Sequence, residues 1–282
     1  MYDVIIIGAG PAGISAGLYA KRANKDVLIL YYGESNLEKA QLIDNYYGFE
    51  NGISGKELFE YGIKQAKNLK IDVKKEEVLH IEKEDIFKVK TGNNEYKGKT
   101  VILATGNKKL RPNINGILDF DGKGISYCAI CDGFFYRNKN VVVIGNGKFA
   151  ISEAEDLKNI VNNVKILTNG NEMKVDSEFE IIKTKIKEIH GDTKVTNIEF
   201  EDGTSIEVDG IFIAIGEAGG ADFARKIGIF TSNDNIIVDD NMETNVKGLY
   251  SCGNATGGLL QICKAVYEGA KAGLAAANFK EN

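Results

Sequence analysis

Two glycine turns, each entered from an aliphatic run and left through an apolar helix, limit what this chain can fold into. Residues 4–7 (VIII) form a continuous β-branched run, the pattern of a parallel strand covered on both faces. Gly8-Ala9-Gly10-Pro11-Ala12-Gly13 turns the chain. A helix of small and apolar residues is predicted from about residue 12 to 23, and residues 26–30 give a second strand. The turn recurs 137 positions later: residues 140–144 (NVVVI) form a strand, Gly145-Asn146-Gly147 a turn, 149–161 a helix and 164–167 the next strand. Strands alternating with helices twice over argue for two doubly wound α/β units. Residues 100–103 add a strand closed by Ala104-Thr105-Gly106. The stretch 248–251 leads through Cys252-Gly253-Asn254 into a Gly/Ala-rich helix at about 259–279, with no partner strands around it in sequence. We expect it to return to the first unit, so that residues 1–111 and 242–282 form one discontinuous domain and 112–241 an inserted one. Residues 107–115 (NKKLRPNIN) read as a linker, and the Lys-rich stretch 56–99 as a helix plus a solvated meander.

Composition narrows the functional classes. The 282 residues are enough for two cores, and 43% hydrophobic content with a net charge of −5 excludes a disordered chain. Two prolines exclude a collagen-like or linker-rich one. A pI near 5.3 argues against a nucleic-acid binder. No apolar run approaches the ~20 residues needed to cross a bilayer. No basic segment precedes the run at 4–7, so no signal peptide is expected. With four cysteines, the expected location is the reducing cytoplasm, where a disulfide is catalytic or sensing.

In the first turn Gly8 permits the tight bend, Gly10 lets the backbone approach a pyrophosphate, and Gly13 lets helix and strand pack closely. Pro11 and Ala12 open the helix, whose N-terminus presents unpaired N–H groups to an anion. An acid about 20 positions on is expected to hold a ribose hydroxyl, and Glu34 is the candidate. The alternative is a tight βα turn that binds nothing. Cys128-Ala129-Ile130-Cys131 is the most informative feature: two cysteines one turn apart suggest a redox dithiol, and a nearby helix N-terminus would lower the thiol pKa. Asp132 follows, where a carboxylate could take and return protons. Half of a four-cysteine zinc site is the rival reading, but no second ligand pair is present, and no metal is expected. Cys252 and Cys263 read as small buried side chains, and His80 and His190 as surface or satisfied histidines.

The second turn has Ala150 in third place, and bulky Lys148 and Phe149 where a phosphate loop carries small residues. The following strand ends in Thr168-Asn169-Gly170, with no Arg pair for a 2′-phosphate, and Glu172 comes late for a ribose. A fold that no longer binds a nucleotide is the preferred reading of this half.

Taken together, these residues resemble the low-molecular-weight thioredoxin reductases, flavoproteins of two Rossmann-like domains. The match runs end to end: GAGPAG at 8–13, Gln41-Leu42, Asn45 before Gly48, ATG at 104–106, SYCAICD at 126–132, and the C-terminal segment. The resemblance implies FAD in the discontinuous domain, with Gly8, Gly10, Gly13 and Glu34 on its ADP half. Gln41, Asn45, Gly106, Gly253, Asn254 and Gln261 would lie toward the flavin, and Ala104 and Thr105 would also bind the cofactor. It also implies Cys131 as the sulfur facing the ring, Cys128 as its partner, and Asp132 as acid/base. Three positions depart from the family: GNGKFA at 145–150, Thr168-Asn169-Gly170, and Gly253-Asn254 in place of Gly-Asp. The first two, with DFAR at 222–225 and GGLLQ at 257–261, are similar to the ferredoxin-dependent flavin thioredoxin reductases, which lack NADPH motifs.

The expectation is therefore a cytoplasmic homodimeric flavoprotein carrying electrons from ferredoxin through FAD to Cys128–Cys131 and on to thioredoxin or a similar small dithiol protein. Lysines between 64 and 75 would attract the acidic donor, unless they are a solvated helix face. A disulfide stacked on the flavin cannot also touch a protein partner, so one domain would swing about 107–115 and 239–244. By sequence order Cys128 would attack the partner. Alternatives are an NADPH- or NADH-dependent enzyme of the same family, a flavin oxidoreductase serving another dithiol, and a non-catalytic redox sensor.

Overall fold

The computed structural model describes residues 1–106, 112–216, 220–232 and 235–280, without the side chains of residues 220, 221 and 225. Most of the expected linker at 107–115, and the Arg225 side chain, lie outside the described residues. The first stretch contains β1 (Tyr2–Ile7), α1 (Pro11–Arg22), β2 (Val27–Tyr31), α2 (Gly55–Asn68), β3 (Asp72–Lys75), β4 (Val78–Lys83), β5 (Phe87–Thr91) and β6 (Glu95–Leu103). Next come β7 (Ile125–Ser126), α3 (Ala129–Asp132), β8 (Asn140–Ile144), α4 (Lys148–Leu157) and β9 (Asn163–Leu167). They are followed by β10 (Ile181–Ile182), β11 (Ile186–Gly191), β12 (Val195–Phe200), β13 (Ser205–Glu207) and β14 (Gly210–Ile213). The chain ends with α5 (Gly220–Lys226), β15 (Thr231–Ser232), β16 (Asn235–Ile236), β17 (Leu249–Ser251) and α6 (Ile262–Ala277).

Two compact units result, one of Met1–Lys108 with Gly219–Asn282 and one of Lys109–Ala218. Residues 219–241, expected in the inserted domain, are thus counted with the first unit. The reason is long-range: α5 packs on β4 and β16, and β16 touches the turn Gly253–Thr256.

The first unit is built on a seven-stranded sheet of order β3-β2-β1-β6-β5-β4, with β17 also on β6. Strands β3, β2, β1, β6 and β17 run parallel, whereas β4, β5 and β6 pair antiparallel. The aliphatic run of β1 is fully covered: Val4, Ile5 and Ile6 have no exposed surface. One cover is the pair α1 and α6, whose small residues let the backbones approach. A Cβ on Gly269 would stand 2.2 Å from Ala12 O, and one on Gly273 2.3 Å from Ala16 O. The stretch 56–99 is more than helix and solvated meander. Val78, Ile81, Phe87 and Val89 are buried, so β4 and β5 extend the sheet with an apolar face inward.

The second unit repeats the plan at smaller scale. Its sheet runs β10-β9-β8-β14-β7, all parallel, with a three-stranded antiparallel sheet β11-β12-β13 beside it. Phe149, Ala150, Ala154 and Leu157 of α4 are buried with Val141, Val143 and Ile166 of the sheet. Among the described residues no helix is long and apolar enough to cross a membrane.

Candidate functional site

In the first unit the strand order reverses beside β1, which pairs with β2 on one side and β6 on the other. In doubly wound sheets ligands bind at the strand C-termini at such a reversal. The register Ile7↔Leu103 and Ser251↔Leu103 sets the ends of β1, β6 and β17 level. Gly8 then lies against Ala104: at φ 112° a Cβ there would stand 2.2 Å from Ala104 O. Gly13 lies over Gly8, where a Cβ would come within 1.9 Å of Gly8 O. Gly253, at φ 74°, abuts Ala12, with 2.8 Å between the two Cβ positions. Gly8, Ala12, Gly13, Ala104 and Gly253 are therefore brought together.

Gly10 and Gly106 differ from these. Among the described residues, a Cβ on Gly10 would meet only Ser35 Oγ, at 3.9 Å, and one on Gly106 nothing within 4 Å. Gly10 immediately precedes α1, whose N-terminus has Pro11 at its start, no side-chain cap and no acid in its first turn. Such a bare N-terminus suits the phosphates of a dinucleotide. Thr105 sits between Ala104 and Gly106. The residues present fit the adenine dinucleotide expected for Gly8–Gly13.

Glu34 is exposed, just after β2 and before Ser35. The Ser35 hydroxyl was not foreseen. Ser35 and Glu38 form a capping box, with Ser35 N–H donating to Glu38 Oε2 at 2.6 Å and Leu37 N–H to Ser35 Oγ at 3.2 Å. Gln41 is exposed in the next turn. Asn45 and Gln261, also exposed, meet: Asn45 Nδ2 donates to Gln261 Oε1 at 3.3 Å. Asn254 is half-buried in the turn Gly253–Thr256. That turn is tied to α6 by residues the sequence reading missed. Lys264 Nζ donates to Gly253 O at 2.8 Å and pairs with Glu268 Oε2 at 2.9 Å, and Glu268 Oε2 accepts the Gly253 N–H at 2.9 Å. The four-residue spacing of Lys264 and Glu268 on one helix was the signal available.

In the second unit Cys128 and Cys131 form a disulfide across the single turn of α3. In this structure the pair is thus bonded to itself rather than offering half of a zinc site. Cys128 is the N-cap of α3, and its Sγ accepts the Cys131 N–H at 3.2 Å. Ser126 Oγ donates to Asp132 Oδ2 at 2.7 Å and accepts the Cys128 N–H at 3.1 Å, so one hydroxyl fixes the acid against the dithiol turn. On the other side, Glu153 Oε2 accepts the Ala129 N–H at 2.7 Å. Cys128 is buried and Cys131 exposed, so the sulfur expected to attack a partner is the covered one here. Around Cys131 lies exposed apolar surface at Ile130, Phe134 and Phe135. Tyr136, half-buried, has its phenol pKa raised first by burial and then by the Asp132 charge.

The second glycine turn keeps the fold of the first. A Cβ on Gly145 would stand 2.1 Å from Ala214 O, the counterpart of Gly8 against Ala104. Phe149 does not crowd the loop as expected, because its ring is buried in the core of the unit. The chain itself caps the loop instead. Asn146 Nδ2 donates to Glu172 O at 3.0 Å, and Asn146 O accepts the Lys174 N–H at 2.9 Å. At the end of β9, Asn169 Oδ1 accepts the Ile186 N–H at 2.8 Å, and Glu172 pairs with Lys183 at 2.6 Å.

The remaining candidates sort simply. Cys252 is buried as expected, and burial pushes its thiol well above the usual cysteine range. Cys263 is exposed, contrary to expectation, because the first turn of α6 turns it outward. His190 Nε2 lies 3.0 Å from Glu199 Oε2, and Lys187 holds Glu199 Oε1 at 2.6 Å. Of the lysines between 64 and 75, Lys64 lies 3.9 Å from Glu60 and Lys74 bonds Tyr96, while Lys67 and Lys70 are exposed.

Comparison with known proteins agrees with this geometry. Residues 2–269 match the family described as Pyridine nucleotide-disulphide oxidoreductase. A thioredoxin reductase of Treponema pallidum is 36% identical over 302 residues, spanning 99% of this chain and 97% of that protein. The crystal structure of the atypical thioredoxin reductase from Desulfovibrio vulgaris Hildenborough is 37% identical. It covers 98% of this chain and 97% of its own, with a TM-score of 0.92. A ferredoxin-flavin thioredoxin reductase from Clostridium acetobutylicum is 34% identical over 98% of this chain and 96% of its own, with a TM-score of 0.74.

Proposed function

We infer an activity from one premise: the chain belongs to the pyridine nucleotide-disulphide oxidoreductase family, as a flavin disulfide oxidoreductase of the thioredoxin reductase type. Proteins of this kind are FAD-binding flavoproteins. We propose that this one reduces thioredoxin, or a similar small dithiol protein, through Cys128 and Cys131, with reduced ferredoxin as electron donor. The observation that carries the reading is the Cys128–Cys131 disulfide on a one-turn helix, with Asp132 fixed beside it by Ser126.

FAD, when bound, supplies a carrier that takes up electrons singly and releases them as a pair. Its ADP half would be held by Gly8, Gly10, Pro11, Ala12, Gly13 and Glu34. Its flavin half would be held by Gln41, Asn45, Ala104, Thr105, Gly106, Gly253, Asn254 and Gln261. The discontinuous unit is thus the cofactor domain, and the inserted unit carries the dithiol. Reduction adds two electrons and two protons to the Cys128–Cys131 bond. One thiol then gives its proton to Asp132 and attacks a sulfur of the partner disulfide. A mixed disulfide forms as the partner's bond breaks, and the leaving thiolate takes a proton back. The second thiol resolves the mixed disulfide, its proton passing to the partner sulfur that departs, and restores Cys128–Cys131. The exposed rings of Phe134 and Phe135 offer an apolar seat for the partner beside the reacting sulfurs. We place the enzyme in the cytoplasm as a homodimer.

The ferredoxin part rests on the capped loop at Asn146 and on the absence of phosphate-binding arginines at 168–170. A second reading, with NADPH or NADH as donor, is favoured by the pyridine nucleotide in the family's description. Anaerobic mixing decides between them. We expect reduced ferredoxin to bleach the flavin absorbance while NADPH and NADH leave it unchanged. Rapid bleaching by either nucleotide would end the ferredoxin reading.

A further inference from the structure

The helix that follows the capped glycine loop has a second face, and on it lies a carboxylate. Glu153, on α4, is 1% exposed. Its Oε2 accepts the N–H of Ala129, 24 positions away, at 2.7 Å, and Ala129 is itself wholly buried. Ala129 is the residue bonded to Cys128 and the first of α3. We infer that Glu153 is a positioning residue for the dithiol: it anchors the start of the CxxC turn and sets a carboxylate beside Cys128 that opposes ionisation of that thiol. The inference rests on the reading of Cys128–Cys131 as the redox pair.

The physics runs against the usual behaviour of such motifs. Backbone N–H groups at a helix start lower the pKa of a cysteine placed there. Here the first of them is turned to Glu153, and the Cys131 N–H alone reaches Cys128 Sγ among the bonds described. A carboxylate bonded to the residue that follows Cys128 disfavours a second negative charge on that cysteine. The carboxylates bonded at this turn are Glu153, through the Ala129 N–H, and Asp132, held by Ser126, and the Tyr136 phenol faces the Asp132 charge. The nearby cations Arg137 and Lys139 are spread over the rings of Phe134 and Tyr136. Reduction of the disulfide takes up two electrons and two protons, and Cys128 then keeps its proton until a base removes it.

The test reads the thiols directly, so it does not depend on which partner the enzyme serves. Full-length, FAD-loaded protein is reduced with dithiothreitol, freed of it anaerobically, and alkylated with iodoacetamide across a pH series, with Cys128 and Cys131 peptides followed by mass spectrometry. The midpoint is read rather than the absolute rate, because Cys128 is buried. We expect a wild-type Cys128 midpoint at or above about 8.5, the free-cysteine value. Glu153→Gln keeps an acceptor for Ala129 but loses the charge, and should lower the midpoint by about one pH unit with unchanged melting temperature. Glu153→Ala also frees the Ala129 N–H and should lower it at least as far. A wild-type midpoint below about 7, or a Glu153→Gln profile superimposable on wild type, would overturn the inference. If Glu153→Gln does not fold, the wild-type midpoint decides. Failure to reduce thioredoxin with the shift present would remove the proposed function and leave this inference standing.

Discussion

Asn45 and Gln261, 216 positions apart in the chain, are joined by a hydrogen bond of 3.3 Å from Asn45 Nδ2 to Gln261 Oε1. Gln261 is the N-cap of α6, and Asn45 sits in the turn-rich segment between β2 and α2. The bond ties that segment to the start of the helix assigned to the flavin end of the cofactor. An exposed amide–amide bond contributes about 1 kcal/mol.

Asn45→Ala and Gln261→Ala should therefore each weaken FAD binding by about fivefold, with the double variant no worse than about tenfold. Titration of apoprotein with FAD, followed by flavin fluorescence, checks this. Fully additive losses would show that the two side chains hold the cofactor separately.

Gly10 and Gly13 differ in what surrounds them, and the difference gives a paired test. A methyl group at Gly13 meets Gly8 O at 1.9 Å, so Gly13→Ala should lose several degrees of melting temperature even as apoprotein. At Gly10 the nearest atom among the described residues is 3.9 Å away, so Gly10→Ala should leave apoprotein stability unchanged and still lose FAD affinity by at least about tenfold. Wild-type FAD affinity in Gly10→Ala would remove the cradle from this turn.

The two free cysteines should react very differently. Cys263 is exposed, whereas burial and the nearby Glu268 charge hold the Cys252 thiol protonated. Native, oxidised protein treated with iodoacetamide at pH 8 should therefore carry the label on Cys263 alone, and on Cys252 only after denaturation. Peptide mass spectrometry reads the result. Equal labelling would place Cys252 at the surface.

Asp3 links the start of β1 to β6. Its hydrogen bond to Lys99, at 2.8 Å, holds its pKa below the usual aspartate value, helped by the Asp26 N–H. A lowered folded-state pKa stabilises above the ordinary value and is lost as pH falls through the lowered one. Asp3→Asn should melt about 1–2 °C below wild type at pH 7, as fits a partly exposed pair. The gap should narrow as the pH falls below about 4. A gap that widens in acid would contradict the assignment.

What the sequence discloses about this fold is what neighbouring residues enforce. Gly13 is legible because its backbone conflict, with Gly8 O, arises within one strand–turn–helix, whereas the conflict at Gly8 is with Ala104 at the end of β6. The aliphatic runs of β1 and β8 likewise state their burial on both faces. The bonds that finish the site cross longer distances. Nothing local marks Glu153 for Ala129, and an Asn at 146 reads as a degraded phosphate loop without revealing that 172–174 caps it. The contacts of α5 with β4, and of β16 with the turn Gly253–Thr256, likewise join segments far apart in sequence. Phe149 shows the opposite error: bulk in a motif says nothing of which way the ring turns.

The central claim is that the Cys128–Cys131 disulfide shares electrons with a bound FAD. Anaerobic titration with dithionite, followed by flavin absorbance, counts the electrons each subunit accepts. The account predicts uptake of two electron pairs by wild-type protein, one for FAD and one for the disulfide. A Cys128→Ser, Cys131→Ser double variant should take up one pair. Identical one-pair uptake by both proteins would contradict it.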